Sequence, residues 1–97
     1  MTFRIAARVD ANQPEIVDAF RKMGCSVLII SQLKRCADLF VAKNDITAVI
    51  EVKDGTLPKS KRQLTEGEMD FMHSWKGLYF IVESLDDVLR VVKELEA

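Results

Sequence analysis

Apolar residues first recur at helical spacing, at Ile16, Val17, Ala19, Phe20 and Met23, in the stretch between Asn12 and Gly24. Asn12 reads as an N-cap, Gln13-Pro14-Glu15 as a first turn with Glu15 as the capping-box acid, and Gly24 as the terminator. The period then changes. Ser26 to Ser31 is a short apolar run of the kind that predicts a strand buried on both faces. Residues 38–43 and 46–53 are rich in β-formers and flank Asn44-Asp45, a dipeptide suited to a tight turn, so they predict a β-hairpin. Residues 54–63 contain Gly55 and Pro58 and read as an exposed loop. Thr65-Glu66-Gly67-Glu68 is a second capping box, opening a helix through about His73. Leu78 to Glu83 predicts another strand. Ser84-Leu85-Asp86-Asp87 then caps a final helix whose apolar stripe is Val88, Leu89, Val91, Val92 and Leu95.

The predicted order is αβββαβα. Three strands can pair as a meander, and the fourth, reached across a helix, should lie parallel to its neighbour through a right-handed crossover. The expected fold is therefore α/β, a mixed four-stranded sheet flanked by helices. With 97 residues and 48% hydrophobic content, the chain suits one domain over residues 1–97 with one modest core. Its longest apolar runs, such as Val27-Leu28-Ile29-Ile30, fall far short of a membrane span, and the first eight residues lack the apolar centre of a secretory signal. A cytoplasmic protein with no membrane partner is expected. Cys25 and Cys36 have no histidine nearby and fit neither a zinc site nor a disulfide framework, so they read as reduced and structural. His73, Phe71 and Trp75 are also given structural places, the two aromatic residues in the core.

The hairpin carries the candidate chemistry. If Asn44-Asp45 form the loop, residue 43 pairs with 46 and Asp38 falls directly across from Glu51. Opposite residues lie roughly 4.5–5.5 Å apart, so two carboxylates are held side by side and call for a cation. Lys53 points to the same face as Glu51 because side chains alternate along a strand. Net charge is only −1, but it is segregated. Between Lys53 and Gln63 stand Lys53, Lys59, Lys61 and Arg62 against Asp54 alone, while the last fifteen residues are acidic in balance. Following directly on Glu-x-Lys, the basic loop is placed for contact with a polyanion.

Asn12-Gln13-Pro14-Glu15-Ile16-Val17 on the first helix, Asp38-Leu39-Phe40-Val41, Glu51-Val52-Lys53-Asp54-Gly55, Leu64-Thr65 before the next helix and Val82-Glu83-Ser84 before the last follow one another in order. In this the chain resembles the PD-(D/E)XK nuclease superfamily, and within it the small stand-alone VRR-NUC proteins of phages and bacteria. The resemblance spans nearly the whole chain and implies a restriction-endonuclease-like core. Two positions depart from the family pattern. Arg35-Cys36-Ala37 stands where Gly-x-Pro is common, and Glu68 stands where a helix glutamine is common, with Gln63 the other candidate for that place.

The resemblance implies a metal-dependent endodeoxyribonuclease that selects branched or junction DNA by its structure. Hydrolysing a phosphodiester needs a hydroxide near neutral pH and neutralisation of charge on the phosphoryl oxygens, which a hard divalent cation supplies. Mg²⁺ takes one or two carboxylates with water and phosphate, matching Asp38 and Glu51, with the Val52 backbone carbonyl as a third ligand and Mn²⁺ able to substitute. Lys53 would orient the attacking water or stabilise the transition state. Glu15 corresponds to the family's N-terminal acid. Lys59, Lys61 and Arg62 are the candidate DNA contacts. One site cuts one strand, so symmetric cleavage implies a homodimer, for which the segment around Phe3 and Ile5 and the final helix are the candidate interfaces. The alternative is a non-catalytic nucleic-acid-binding or accessory subunit that retains the fold.

Overall fold

The computed structural model describes residues 9–97, so the suggested contact around Phe3 and Ile5 lies outside the described residues. Its elements are α1 (Gln13–Lys22), β1 (Ser26–Ile29), β2 (Leu39–Lys43), β3 (Ile46–Val52), a short 3-10 turn (Lys59–Lys61), α2 (Glu66–Ser74), β4 (Leu78–Val82) and α3 (Leu85–Glu96). The strands form one mixed sheet in the order β1-β2-β3-β4, antiparallel from β1 to β3, with β4 parallel to β3. The α/β class and the strand relations are those the sequence predicts. No described helix is long and apolar enough to cross a membrane.

The hairpin turn fixes everything downstream. Asn44 and Asp45 both take left-handed φ, +55° and +64°, the geometry of a two-residue turn matched to strand twist. Lys43 therefore pairs with Ile46 and Leu39 with Ile50. This alternation sends Leu39, Val41, Ala48, Ile50, Val52 and Val82 to one face, where Ile16, Val17 and Phe20 of α1 and Val88, Val91, Val92 and Leu95 of α3 seal them from water. Ser84 caps α3 as predicted, accepting from the Asp87 amide, while Asp87 in return accepts from the Glu83 amide.

The opposite face is thinly covered. Phe40 stacks on Trp75 at 6.5 Å, and Phe71 lies 5.4 Å from Trp75 and 6.2 Å from Tyr79. Phe71 and Trp75 are thus not in the main core as expected. They form a separate aromatic layer, with Trp75 40% exposed, because α2 buries only Gly67. His73 of the same helix is exposed.

Two further expectations are corrected. The run from Ser26 makes a strand only to Ile29 and lies at the sheet edge, with Leu28 60% and Ile29 52% exposed, so it is not buried on both faces. Strand order, not composition, decides that. Asn12 does not cap α1: its backbone is in the helical region and its side chain makes no cap bond. Its amide instead donates to the carbonyls of Lys53 at 3.0 Å and Glu83 at 3.4 Å, tying the start of α1 to the ends of β3 and β4. Glu15 accordingly has no capping-box partner. At the same junction Gly55 donates to the Glu83 carbonyl at 3.1 Å, and a Cβ at Gly55 would stand 2.6 Å from that oxygen.

Candidate functional site

Asp38 sits one residue before β2, its amide donating to the Ile50 carbonyl at 3.0 Å and its carbonyl accepting from Ile30 at 2.8 Å. The regular β2–β3 pairing ends at Leu39 and Ile50, and Asp38 bonds to the Ile50 carbonyl rather than to the Glu51 backbone; its carboxyl nevertheless reaches that of Glu51. Asp38 Oδ2 accepts from the Val52 amide at 2.8 Å. In an extended residue the carbonyl points to the same side as the amide, so the Val52 carbonyl is turned toward Asp38 as well.

Glu51 is 2% exposed and its Oε1 has no donor. Its carboxyl lies against those of Asp38 and Glu68 closely enough to share a proton. Burial first, then the Asp38 charge and the hydrogen bond with Asp38, push Glu51 up to about 10, against the opposing pull of Lys53. A group so placed holds either a proton or a cation at neutral pH. Lys53 Nζ is 3.7 Å from Glu51 Oε2 and 2.9 Å from Glu68 Oε1. Burial disfavours its charge, yet the Glu68 hydrogen bond and the charges of Glu51, Glu68 and Asp10 outweigh that and hold Lys53 above its ordinary value. Burial likewise penalises the Glu68 charge, but the Thr65 amide and Lys53 carry the balance and keep Glu68 low.

The sheet thus gathers Asp38, Glu51, Val52 and Lys53. It does not bring Glu15 to them. Glu15 is exposed and lines a different depression, beside Asp54, Gly55 and Glu83. Asp10 is the acid that approaches from the N-terminal side. Burial raises its pKa, and Lys53 and Asp38 are its strongest charged neighbours. Lys59 and Lys61 are exposed on the 3-10 turn. Arg62 is engaged within the chain: its Nε donates to the Leu57 carbonyl at 2.7 Å and its Nη1 to Glu83 Oε2 at 2.8 Å.

Glu68 reads in the sequence as a cap and as the residue standing where the family commonly has a helix glutamine. The capping box is present, with the Thr65 hydroxyl accepting from the Glu68 amide and Glu68 Oε1 accepting from the Thr65 amide at 2.9 Å. That same oxygen receives Lys53. Gln63 is exposed and takes no part. Asp38, Glu51 and Glu68 line a cavity of about 280 Å³ whose rim holds Lys34, Arg35 and Thr65. A larger depression of about 380 Å³ between α1 and β1 lacks any such convergence of acids.

Comparison with family models, curated proteins and solved structures gives no match. Among the described residues no three His, Cys, Asp or Glu side chains make a ready-built metal site. The carboxylates of Asp38 and Glu51, the latter with one oxygen lacking any donor, and the Val52 carbonyl are nevertheless a donor set of the hard, oxygen-only kind that Mg²⁺ takes together with water and phosphate.

Proposed function

We propose that this chain is a divalent-metal-dependent nuclease that hydrolyses phosphodiester bonds in DNA, with a PD-(D/E)XK arrangement like that of the VRR-NUC proteins. The observation that carries the reading is Glu51: a buried carboxyl with one oxygen lacking any donor, set against Asp38 and beside Lys53 in a cavity open to solvent. An uncompensated buried carboxylate is costly, and a structural role would be served as well by an apolar residue.

Asp38, Glu51 and the Val52 carbonyl would hold Mg²⁺ or Mn²⁺. When bound, such an ion polarises the phosphoryl group and lowers the pKa of water. The rest falls to the chain. Asp38, fixed by the Val52 amide, keeps one oxygen turned away from that bond and available as a ligand. Lys53, held by Glu68 rather than by the acid pair alone, stays charged beside the phosphate position and stabilises the negative charge that develops there. Glu15 has no part in this scheme, and Asp10 takes the place of the N-terminal acid. A two-fold homodimer supplies the second site needed for paired cuts in branched DNA. The stripe of α3 is consumed by the core, so of the suggested interface only Leu85 and Leu89 remain exposed there.

The test is cleavage of supercoiled plasmid and of a four-way junction as Mg²⁺ or Mn²⁺ is titrated. Asp38→Ala and Glu51→Gln are expected to abolish metal-dependent cleavage while circular dichroism and melting show a folded domain. Calorimetry should show ion binding lost in both. Wild-type protein that binds neither ion, or cleaves equally well in EDTA, refutes the reading. A folded wild-type protein that binds DNA and metal yet never cleaves would move it to the accessory-subunit class.

A further inference from the structure

We propose that Lys34 and Arg35, on the loop between β1 and β2, form the phosphate-holding rim of the acid cavity, and that the segment Lys59–Arg62 does not. The inference rests on the nuclease reading and adds to it the surface by which DNA is held. The starting point is a charge problem. Asp38, Glu51 and Glu68 line the cavity and Asp10 lies close by, while the one cation among them, Lys53, is 9% exposed and already bonded to Glu68. Even with one divalent ion on Asp38 and Glu51, these four acids outweigh the ion and Lys53, so a DNA phosphate brought to this place meets net negative charge unless other cations share the same wall.

Lys34 and Arg35 are the cations that line it. Both are exposed. Arg35 donates to Asp70 at 2.6 Å, but the two side chains are 61% and 64% exposed, and a pair so wet contributes little. Its guanidinium can exchange that carboxylate for a phosphate, which it can grip through two parallel bonds. Its backbone, meanwhile, is held in place. Arg35 takes φ +55°, and its Cα, Cβ and Cγ press on Gly67, where an added Cβ would come within 2.8 Å. The loop is therefore braced on the first turn of α2, and the two cations project from a fixed base next to Asp38, three residues on. The basic segment after β3 offers less. Arg62 is committed to Leu57 and Glu83, and neither Lys59 nor Lys61 lines the acid cavity.

The experiment is fluorescence anisotropy of a labelled four-way junction and of a duplex, with Ca²⁺ as the divalent ion, over a range of salt. Lys34→Ala and Arg35→Gln should each lower the magnitude of the salt slope by about 1, and the double variant by about 2. Lys59→Ala with Lys61→Ala should leave the slope unchanged. Asp70→Asn frees Arg35 from its competitor and should tighten binding, whereas Asp86→Asn, on the helix covering the other face, should not. A wild-type slope in the double variant, or no gain in Asp70→Asn, overturns the assignment. If wild-type protein cleaves DNA and these variants bind and cleave as it does, only this inference fails. If wild-type protein neither binds nor cleaves, the nuclease reading fails with it.

Discussion

Along β3, Ala48, Ile50 and Val52 point into a layer closed by α1 and α3, whereas Val49, Glu51 and Lys53, the residues between them, point toward α2. The first face is apolar throughout and dry. The second has an aromatic layer at one end, with Trp75 partly in water, and a charged cavity at the other. Nine residues of helix cover it, and of these only Gly67 is itself buried. The division teaches where each requirement is met: the sealed face supplies the hydrophobic stabilisation that tolerates a buried carboxyl group on the other side of the same strand. Polar strain is cheapest where its neighbours are already rigid.

Breaking each face in turn should separate the two contributions. The largest loss of stability is expected from Ile50→Ala, a fully buried side chain whose deletion costs about 2–5 kcal/mol. Trp75→Ala should cost less than the roughly 3–5 kcal/mol of a sealed tryptophan, since its ring is partly solvated. Urea unfolding of the two variants checks the order, and a larger loss at Trp75 would mean that the second face carries the fold.

Gly67→Ala comes next. Its methyl group would meet Arg35 Cγ at 2.8 Å and push the loop off α2, at a cost of about 1–3 kcal/mol. Cleavage should fall more than stability, because that loop leads directly into Asp38. Equal melting temperatures for wild type and variant would show that the contact yields without strain.

The pH dependence is a subtler contrast. Glu51 is raised from 4.5 to about 10 in the folded chain, so the folded state binds the extra proton. Its contribution to stability is full below about 4.5 and is lost as pH rises toward 10. Added Mg²⁺ should reduce that loss and release a proton on binding, and Glu51→Gln should flatten the profile. Melting curves across pH 5–9 with and without the ion test this. An identical profile in Glu51→Gln would show that another group titrates. Lys53→Ala should leave ion affinity largely intact and lower the cleavage rate, and a wild-type rate in the variant would remove Lys53 from the mechanism.

Much of the architecture was legible because it is local. The hairpin register follows from a turn dipeptide and an alternating pattern and holds from Lys43 with Ile46 to Leu39 with Ile50; Asp38 lies one residue beyond it and meets Glu51 through its side chain. Caps at Thr65 and Ser84 depend on residues within three or four positions and are found where the sequence places them. What failed depended on distant chain. The edge position of β1 is set by which strand reaches the sheet border. Asn12 leaves its cap because carbonyls 41 and 71 residues away need a donor. Arg62 is claimed by Glu83 across a loop that gives no sequence signal of the pairing. Glu68 was visible as a cap, and its place where a helix glutamine is common was the one hint that it lines the cavity. Asp10 offered no periodic pattern at all.

One oxygen, Glu68 Oε1, is bonded both to the Thr65 amide and to the Lys53 ammonium. The first turn of a helix and the position of a lysine fifteen residues upstream are thereby made a single event. Fraying of that turn would take the Glu68 carboxylate away from the ammonium and leave Lys53 only Glu51, at 3.7 Å. The Thr65 amide proton is thus a natural clock for the lysine. Its exchange with deuterated solvent counts how often the charge is released, in a protein carrying no label and performing no reaction.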